Sequence, residues 1–280
     1  MSGDEWVMAA PHPALRPLVM RYLGYARHEA APALHRGLPS RHVTLAISLA
    51  DPMRVIGAPG SGQPSARPQG VLGGMHTSPV LIAQQGHLCG VHVELHPLGL
   101  RALFGYSSAE LSEHVVDLAD LGSRFAALPP RLAAESGWRG RFAVLDEVLL
   151  GGFTGTEDPV PELALAWRWL LASGGTMRVA QLAGEVGWSR RHLGEVFRRE
   201  VGLSPKQAAR VLRFERAGTL LRRGTRMNLA ELAAVCGYSD QSHLTNEWRA
   251  LAGCSPGTWI AEELPFLQYD TGKQAAGSQV

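Results

Sequence analysis

Two stretches in the last third of the chain carry side chains that can hydrogen-bond to the edges of nucleic-acid bases. Their outward positions are Arg190, Arg191, Gly194, Glu195 and Arg198, then Gln241, Ser242, His243 and Asn246. Arginine can bind guanine O6 and N7 together, glutamine and asparagine suit adenine N6 and N7, and glutamate can accept a hydrogen bond from cytosine N4. The residue types therefore predict two elements that could each read a DNA groove.

The elements that must position these side chains form an internal repeat. One copy reads V-A-Q-L-A-G-E-V-G-W-S and the other L-A-E-L-A-A-V-C-G-Y-S, with Gly187 and Gly237 fifty positions apart. Apolar residues before each glycine recur at helical spacing, each glycine suits a helix end with positive φ, and Ser189 and Asp240 suit the N-cap of a second helix. Each copy is therefore predicted to be a helix-turn-helix unit, whose second helix enters the major groove of DNA.

The run from Gly237 to Trp259, G-Y-S-D-Q-S-H-L-T-N-E-W-R-A-L-A-G-C-S-P-G-T-W, resembles the signature of AraC/XylS-type transcriptional regulators. The resemblance covers roughly residues 163–262 and implies two helix-turn-helix units joined by one long helix. It also implies base contacts at Arg191, Gly194 and Glu195. Asn246 stands where the family usually has arginine, which implies a changed base preference, and Trp248 replaces the usual phenylalanine.

A long helix is predicted between the two units. Ser204 suits its N-cap, Pro205 its first turn, and the apolar pattern continues to about Arg222. A helix of about 18 residues spans roughly 27 Å, against about 34 Å for one turn of DNA. It could therefore place two recognition helices in successive major grooves. The cations predicted to contact phosphate are Lys206, Arg210 and Arg249. Phosphate anchoring without sequence information is also the alternative reading for Arg190, Arg198 and Arg199.

The charge distribution agrees with a DNA-binding C-terminal half. Residues 166–260 hold fourteen Arg or Lys against seven Asp or Glu, so this segment carries +7, whereas the whole chain carries only +2 and the remainder −5. Phosphate binding requires such a basic concentration. The alternative is an ordinary solvated basic face.

The N-terminal half has the pattern of a small β-sheet or cupin-like partial barrel with flanking helices, so the fold class is α+β. One short helix and a strand are expected in residues 1–35, and the further strands are His42–Ser48, Met53–Ile56, Val71–Leu72, Val80–Gln84 and Cys89–Leu95. The helices are Pro97–Phe104, one capped by Ser107 or Ser108, Phe125–Ala134 broken by its two prolines, and Trp138–Leu149. The apolar stripe of the last helix would either pack on the sheet or form a dimerisation face.

Four segments follow from these patterns. Residues 1–150 are a sensing or dimerisation domain, 151–161 a linker, 162–264 the double helix-turn-helix domain, and 265–280 a polar tail expected to be disordered. Residues 57–70, rich in Gly and Pro, are expected to form a mobile loop. If the sheet is cupin-like, a pocket would be lined by Thr44, Ala46, Ser48, Val91, Val93 and Leu95, or by their alternate neighbours.

A metal site in the N-terminal half is a weaker hypothesis. His92, Glu94 and His96 alternate along one strand, with His87 nearby, and imidazole with carboxylate suits Zn, Fe or Ni. The set lacks a third partner at a known spacing, and His96 precedes a proline at a strand end. No cofactor, metal or catalytic residue is predicted.

The chain is predicted to be a non-enzymatic, cytoplasmic, sequence-specific transcription factor that acts on bacterial promoters. It has no apolar run long enough to span a membrane and no secretory start, and its three cysteines lack a metal spacing. The expected partners are double-stranded DNA, RNA polymerase, a small-molecule effector and a second copy of the chain. Two alternatives stay open: an architectural DNA binder without a ligand, and a metal-dependent cupin-type enzyme fused to a DNA-binding module.

Overall fold

The computed structural model describes residues 4–58, 67–153 and 160–263, and its N-terminal half is built on an antiparallel sheet. In these residues the strand order is β1-β2-β6-β3-β5-β7, and β4 also pairs with β6. The strands are β1 (Glu5–Ala9), β2 (Val19–Gly37), β3 (Val43–Ser48), β4 (Arg54–Gly57), β5 (Gly70–Gly73), β6 (Val80–Leu95) and β7 (Val115–Asp117). The predicted α+β class is confirmed.

The two longest strands correct the sequence prediction. The two strands expected between Val80 and Leu95 are one strand, although Gly86 has φ of +72°. The register of β2 against β6 shifts on both sides of the pair between Ala30 and Gly86, so the glycine marks a bulge and not a turn. The short helix and single strand expected in residues 1–35 are instead β1, one 3-10 turn at Pro13–Leu15, and the 19-residue β2.

One face of the sheet packs on helices. The helices are α1 (Leu100–Phe104), α2 (Ser108–Leu111), α3 (Ser123–Ala126), α4 (Leu128–Ala134) and α5 (Trp138–Leu150). Val91, Val93 and Leu95 of β6 are fully buried on this face, and Tyr22 of β2 stacks on Phe142 of α5 with ring centroids 5.6 Å apart. The apolar stripe of α5 therefore lies in the core and is not free to form a dimerisation face.

Two details of these helices bear on the sequence prediction: one decides between two alternatives, and the other differs from it. Ser107 caps α2, and Glu110 completes the capping box by accepting from the Ser107 N–H. The expected helix Phe125–Ala134 is interrupted at Ala127, ahead of Pro129 and Pro130, which lie in the first turn of α4. Proline is tolerated there because first-turn N–H groups have no partner inside the helix.

The C-terminal half contains the two predicted helix-turn-helix units. The helices are α6 (Pro161–Ala172), α7 (Val179–Glu185), α8 (Arg190–Val201), α9 (Pro205–Arg222), α10 (Leu229–Val235), α11 (Gln241–Ala252) and α12 (Pro256–Glu262). Gly187 and Gly237 have φ of +70° and +78°, as the turns require. Residues 59–66 of the expected loop, 154–159 of the expected linker and 264–280, which include the expected tail, lie outside the described residues.

Polar contacts join the two halves of the chain at three helices, α8, α9 and α12. Ser112 Oγ donates to the carbonyl of Gly202 at the end of α8, at 2.6 Å. Arg41 pairs with Glu215 in the middle of α9, at 2.7 Å. Arg36 pairs with Glu262 and Glu263 at the end of α12, at 2.8 and 3.1 Å. The helices α8, α9 and α12 are therefore each connected to the sheet domain by a polar contact. Across the described ranges, no helix has both the length and the apolar character to cross a membrane.

Candidate nucleic-acid interface and sheet cavity

The first predicted recognition helix, α8, is anchored by its apolar face. Leu193 and Phe197 are fully buried, and Phe197 lies 6.3 Å from Trp167 of α6 between ring centroids. Ser189 caps the helix, since its Oγ accepts from the His192 N–H at 3.1 Å. Arg190 and Arg191 at the helix start are exposed.

Two arginines of α8 bind groups on the same helix. Arg191 Nε donates to Glu195 at 2.9 Å across one helical turn, and both side chains are more than half exposed. Arg198 Nη1 donates to the carbonyl of Gly194 at 3.4 Å, and Gly194 itself is buried. Three positions of this helix were predicted to contact bases. Of these, Gly194 is buried, and Glu195 partly neutralises the charge of Arg191.

The second predicted recognition helix, α11, presents a neutral amide-bearing face. Gln241, Ser242, Asn246 and Arg249 are exposed, while Leu244 and Trp248 are fully buried on the opposite face. In the part of the chain that the structure describes, the side chains of Gln241 and Asn246 have no hydrogen-bond partner. These amides are therefore available to a ligand.

Asp240 and His243 hold the turn before α11. Asp240 Oδ1 accepts from the His243 N–H at 2.7 Å, and this hydrogen bond is the main cause that lowers the pKa of the Asp240 carboxyl. His243 is half-buried; its Nδ1 accepts from the Ser239 N–H at 3.3 Å, and its ring packs edge-on against Tyr238 with centroids 5.3 Å apart. Both residues thus shape the turn, which leaves His243 Nε2 as its outward polar atom.

The predicted phosphate-binding cations lie in different surroundings. Lys206 is exposed in the first turn of α9 and has no ion pair within the described residues. Arg210, one turn further, is half-buried and pairs with Glu247 of α11 at 2.6 Å. Lys206 therefore offers its full charge to a phosphate, whereas Arg210 chiefly ties α9 to α11.

A second candidate site is a cavity of about 650 Å³ on the other face of the sheet. Three cross-strand rows form one wall: Trp6–Tyr25–Gly90–Ser48, then Leu23–His92–Ala46–Val71, then Arg21–Glu94–Thr44–Gly73. Ala46, Thr44 and Gly73 in the second and third rows are small, which leaves room above the sheet at these positions. Of the predicted lining residues, Thr44, Ala46 and Ser48 do line the cavity, whereas Val91, Val93 and Leu95 face the helices; their alternate neighbours His92 and Glu94 line it instead.

The opposite side of the cavity joins both halves of the chain. His35 and Arg36 line it from the far half of β2, and Arg222 and Glu263 line it from the ends of α9 and α12. Glu263 is almost completely buried and accepts from both the backbone N–H and the guanidinium of Arg36, each at 3.1 Å. A change in the cavity can therefore act directly on the C-terminal helices.

Comparison with known proteins gives two family matches. Residues 182–262 match a family described as a helix-turn-helix domain. This match confirms the predicted AraC-type helix-turn-helix domain. Residues 8–117 match a family described as a domain of unknown function, DUF6597. No curated protein matches the chain.

Solved structures of such regulators include similar folds. ToxT from Vibrio cholerae, in a structure bound to (E)-4-(8-methylnaphthalen-1-yl)but-3-enoic acid, is 12% identical with a TM-score of 0.51, over 95% of this chain and 100% of ToxT. The DNA-binding domain of AdpA in complex with a target DNA is 25% identical with a TM-score of 0.33, over 43% and 100%. An AraC-type regulator from Chromobacterium violaceum is 23% identical with a TM-score of 0.31, over 42% and 96%. The ToxT likeness concerns the two-domain fold.

Taken with the helix-turn-helix match, the geometry makes this protein a DNA-binding transcription regulator. The residues of the hypothesised metal site do not form one set. His92 and Glu94 face the cavity, but His96 Nδ1 accepts from the Leu98 N–H at 3.2 Å, and its ring packs edge-on against Trp167. Among the described residues no three His, Cys, Asp or Glu side chains are placed to hold a metal ion.

Sequence reasoning missed three sets of residues in or beside these sites. Trp6 and Tyr25 belong to the cavity wall, and alternation along a strand at Tyr22–Ala26 could have indicated it. Arg36 and Glu263 are 227 positions apart, and no local pattern connects them. The capping box of α10, Asn228 with Glu231, was also missed, although N-L-A-E carries the required spacing.

Proposed function

We propose that this regulator reads DNA through α8 and α11 together, with different shares of affinity and sequence preference. Arg190, Arg191 and Arg198 of α8, with Lys206 and Arg249, supply most of the contacts to phosphate. Gln241 and Asn246 of α11 read base edges, for which their amides suit adenine. Ser189 and Asp240 cap the two helices and orient their N-terminal N–H groups, Ser242 and His243 add polar contacts, and Glu195 limits the reach of Arg191.

The observation that carries this proposal is the helix between the two units. α9 is 18 residues long, buries Val211, Phe214 and Ala217 on its inner face, and contacts α8 of the first unit and α10 and α11 of the second. Such a helix is about 27 Å long and cannot bend without disrupting that packing. Two recognition helices packed on one such helix suit two segments of one DNA face, about one helical turn of about 34 Å apart.

We further propose that a small-molecule effector occupies the sheet cavity and alters DNA binding. Support comes from the cavity volume, which lies in the usual range of about 300–1,000 Å³ for ligand sites. Support also comes from Arg222 and Glu263, which bring the ends of α9 and α12 to the cavity. An effector that binds one arrangement of these contacts better would shift the population of DNA-binding states. RNA polymerase, a second copy of the chain and a cytoplasmic location remain part of this proposal.

Selection of bound fragments from random DNA by the full-length chain would test the DNA-reading proposal. We expect a motif of two blocks about ten base pairs apart, with one block enriched in adenine. Asn246→Ala is the matched variant, and it should relax preference in one block only. Salt-sensitive binding without any motif would instead favour the architectural alternative.

A further inference from the structure

We propose that the effector of this regulator is an uncharged aromatic molecule with a hydroxyl or carbonyl group, which rests on Trp6 and Tyr25 and hydrogen-bonds to His92. This inference rests on the proposed effector function of the cavity and adds the chemical class of the ligand.

The shape of the cavity wall favours a flat ligand. Trp6 and Tyr25 are cross-strand partners with ring centroids 5.6 Å apart, and Tyr25 meets His92 edge-on at 5.3 Å. Gly90 makes this arrangement possible, since a Cβ there would lie 2.6 Å from Tyr25 Oη. Beside this aromatic group, Ala46 and Gly73 leave space that a ring can fill. Aromatic pairs stabilise a complex beyond the effect of the apolar area that they bury.

Among the described residues, His92 is one of the polar groups in this wall whose side chain has no hydrogen-bond partner. It sits on the central strand β6, between Leu23 and Ala46, and faces the cavity. Within the described residues, neither its ring nitrogens nor the Tyr25 hydroxyl takes part in a hydrogen bond. Both side chains are half-buried. A ligand that supplies one acceptor or donor at this place therefore gains a hydrogen bond to a group that the protein itself leaves available.

The unpartnered groups are uncharged near neutral pH. Burial lowers the pKa of His92 to about 4, so the ring is a neutral imidazole with one N–H donor and one N acceptor. Burial raises the pKa of Tyr25 to about 12, so its hydroxyl keeps its proton. Neutral groups of this kind suit a hydroxyl or carbonyl, whereas a buried ligand charge would lack a counter-charge at this place.

The charged groups that face the same interior are already paired. Glu94 accepts two hydrogen bonds from Arg21, both at 2.7 Å, and His42 lies 3.5 Å from the same carboxylate. Arg36 is held by Glu262 and Glu263. Arg54, Arg67 and Asp51 also line the cavity, but they are exposed to solvent. A charged effector placed beside His92 would have to break one of the buried pairs to gain a counter-charge there, while an uncharged one leaves them intact.

Three probes of similar size test the class: naphthalene, 2-naphthol and 2-naphthoate, titrated into the full-length protein at pH 7.5 and followed by calorimetry. We expect 2-naphthol to bind at least about tenfold more tightly than either of the others, as one added hydrogen bond implies. His92→Leu should remove the advantage of 2-naphthol over naphthalene, and His92→Gln should restore part of it. Tyr25→Phe tests the hydroxyl alone.

His87→Leu is the matched control, since His87 also lines the cavity but packs its ring against His28. It should leave the ranking unchanged. Thermal unfolding and the selected DNA motif show that each variant is folded. Tighter binding of 2-naphthoate, abolished by Arg36→Gln, would overturn the proposal in favour of an anionic effector. No binding of any probe by protein that still selects its DNA motif would also overturn it and would leave DNA reading intact; loss of the motif would instead count against the proposed function.

Discussion

The two helix-turn-helix units share a backbone plan but differ in what they expose. α8 presents Arg190 and Arg191 and is attached to the N-terminal half through Gly202. α11 presents Gln241 and Asn246, and its buried Trp248 packs against Phe214 and Trp259, with ring centroids 4.7 and 5.4 Å away. Under the proposed function, this difference divides two tasks within a repeated fold: charge for attraction on one copy, and directional amides for discrimination on the other.

Their helix starts differ as well. Asn228 accepts from two backbone N–H groups at the start of α10, and Glu231 closes the capping box. Arg178 occupies the corresponding place before α7 and provides no side-chain cap. The second unit is thus held more by local contacts, and the first more by its contacts with α6 and with the N-terminal half.

The largest expected effect concerns the core of each unit. Trp248→Ala and Phe197→Ala should each lower the free energy of unfolding by about 3–5 kcal/mol, since both side chains are fully buried and leave a cavity. Urea denaturation of the full chain measures both. If the first unit depends more on the N-terminal half, ligand or salt conditions that destabilise that half should increase the loss of unfolding free energy caused by Phe197→Ala. The loss caused by Trp248→Ala should stay the same. A loss below about 1 kcal/mol for either variant would contradict the packing described above.

The next effect separates discrimination from attraction. Asn246→Ala should weaken binding to the selected site by about 10- to 100-fold, because one good base contact contributes about 1–3 kcal/mol, and it should leave random DNA unaffected. Lys206→Ala should weaken all sequences alike and reduce the slope of log K against log salt by about 0.9. Fluorescence anisotropy at several salt concentrations measures both. Equal losses across sequences for Asn246→Ala would show that this residue does not read bases.

Helix capping gives a smaller effect. Asn228→Ala should destabilise the chain by about 1 kcal/mol, through loss of two hydrogen bonds to the start of α10. Arg178→Asn should stabilise the uncapped α7 by a comparable or smaller amount. Thermal unfolding of the two variants side by side checks this, and Arg226→Asn, at an exposed position outside the helices, is the control. A gain from Asn228→Ala would mean that α10 does not depend on its cap.

The smallest effect concerns the ion pair on α8. Glu195→Gln should free Arg191 and raise affinity for any DNA a few-fold at low salt, with little change in stability, because exposed i,i+4 pairs contribute about 0.3–0.5 kcal/mol. Binding assays at 50 mM and 200 mM salt would show the gain shrinking as salt screens the arginine. A change of sequence preference with this variant would mean that Glu195 itself contacts a base.

The C-terminal half was predictable because its signals are local. Helical spacing, a glycine with positive φ and a Ser or Asp cap each act over a few residues, and α9 begins and ends where its sequence indicates. The sheet was predicted less well: β1 was missed, and β6 was divided at Gly86, since strand pairing depends on partners far along the chain. For the same reason, the sequence alone did not decide which face of the sheet lines the cavity. Only the packing of the helices on the other face decides whether His92 or Val93 points into the cavity.

The ion pair between Arg36 and Glu263 has a consequence for how the protein is made. Arg36 is largely buried, yet its partners are almost the last residues that the structure describes, 227 positions later. During synthesis the sheet must form, or wait, with an unneutralised guanidinium at its edge until residues 262 and 263 have left the ribosome. Because domains generally fold in the order they are synthesised, we expect the sheet to reach its final stability only after these two residues have emerged. Nascent chains stalled before residue 262 should therefore remain more sensitive to protease at β2 than the finished protein.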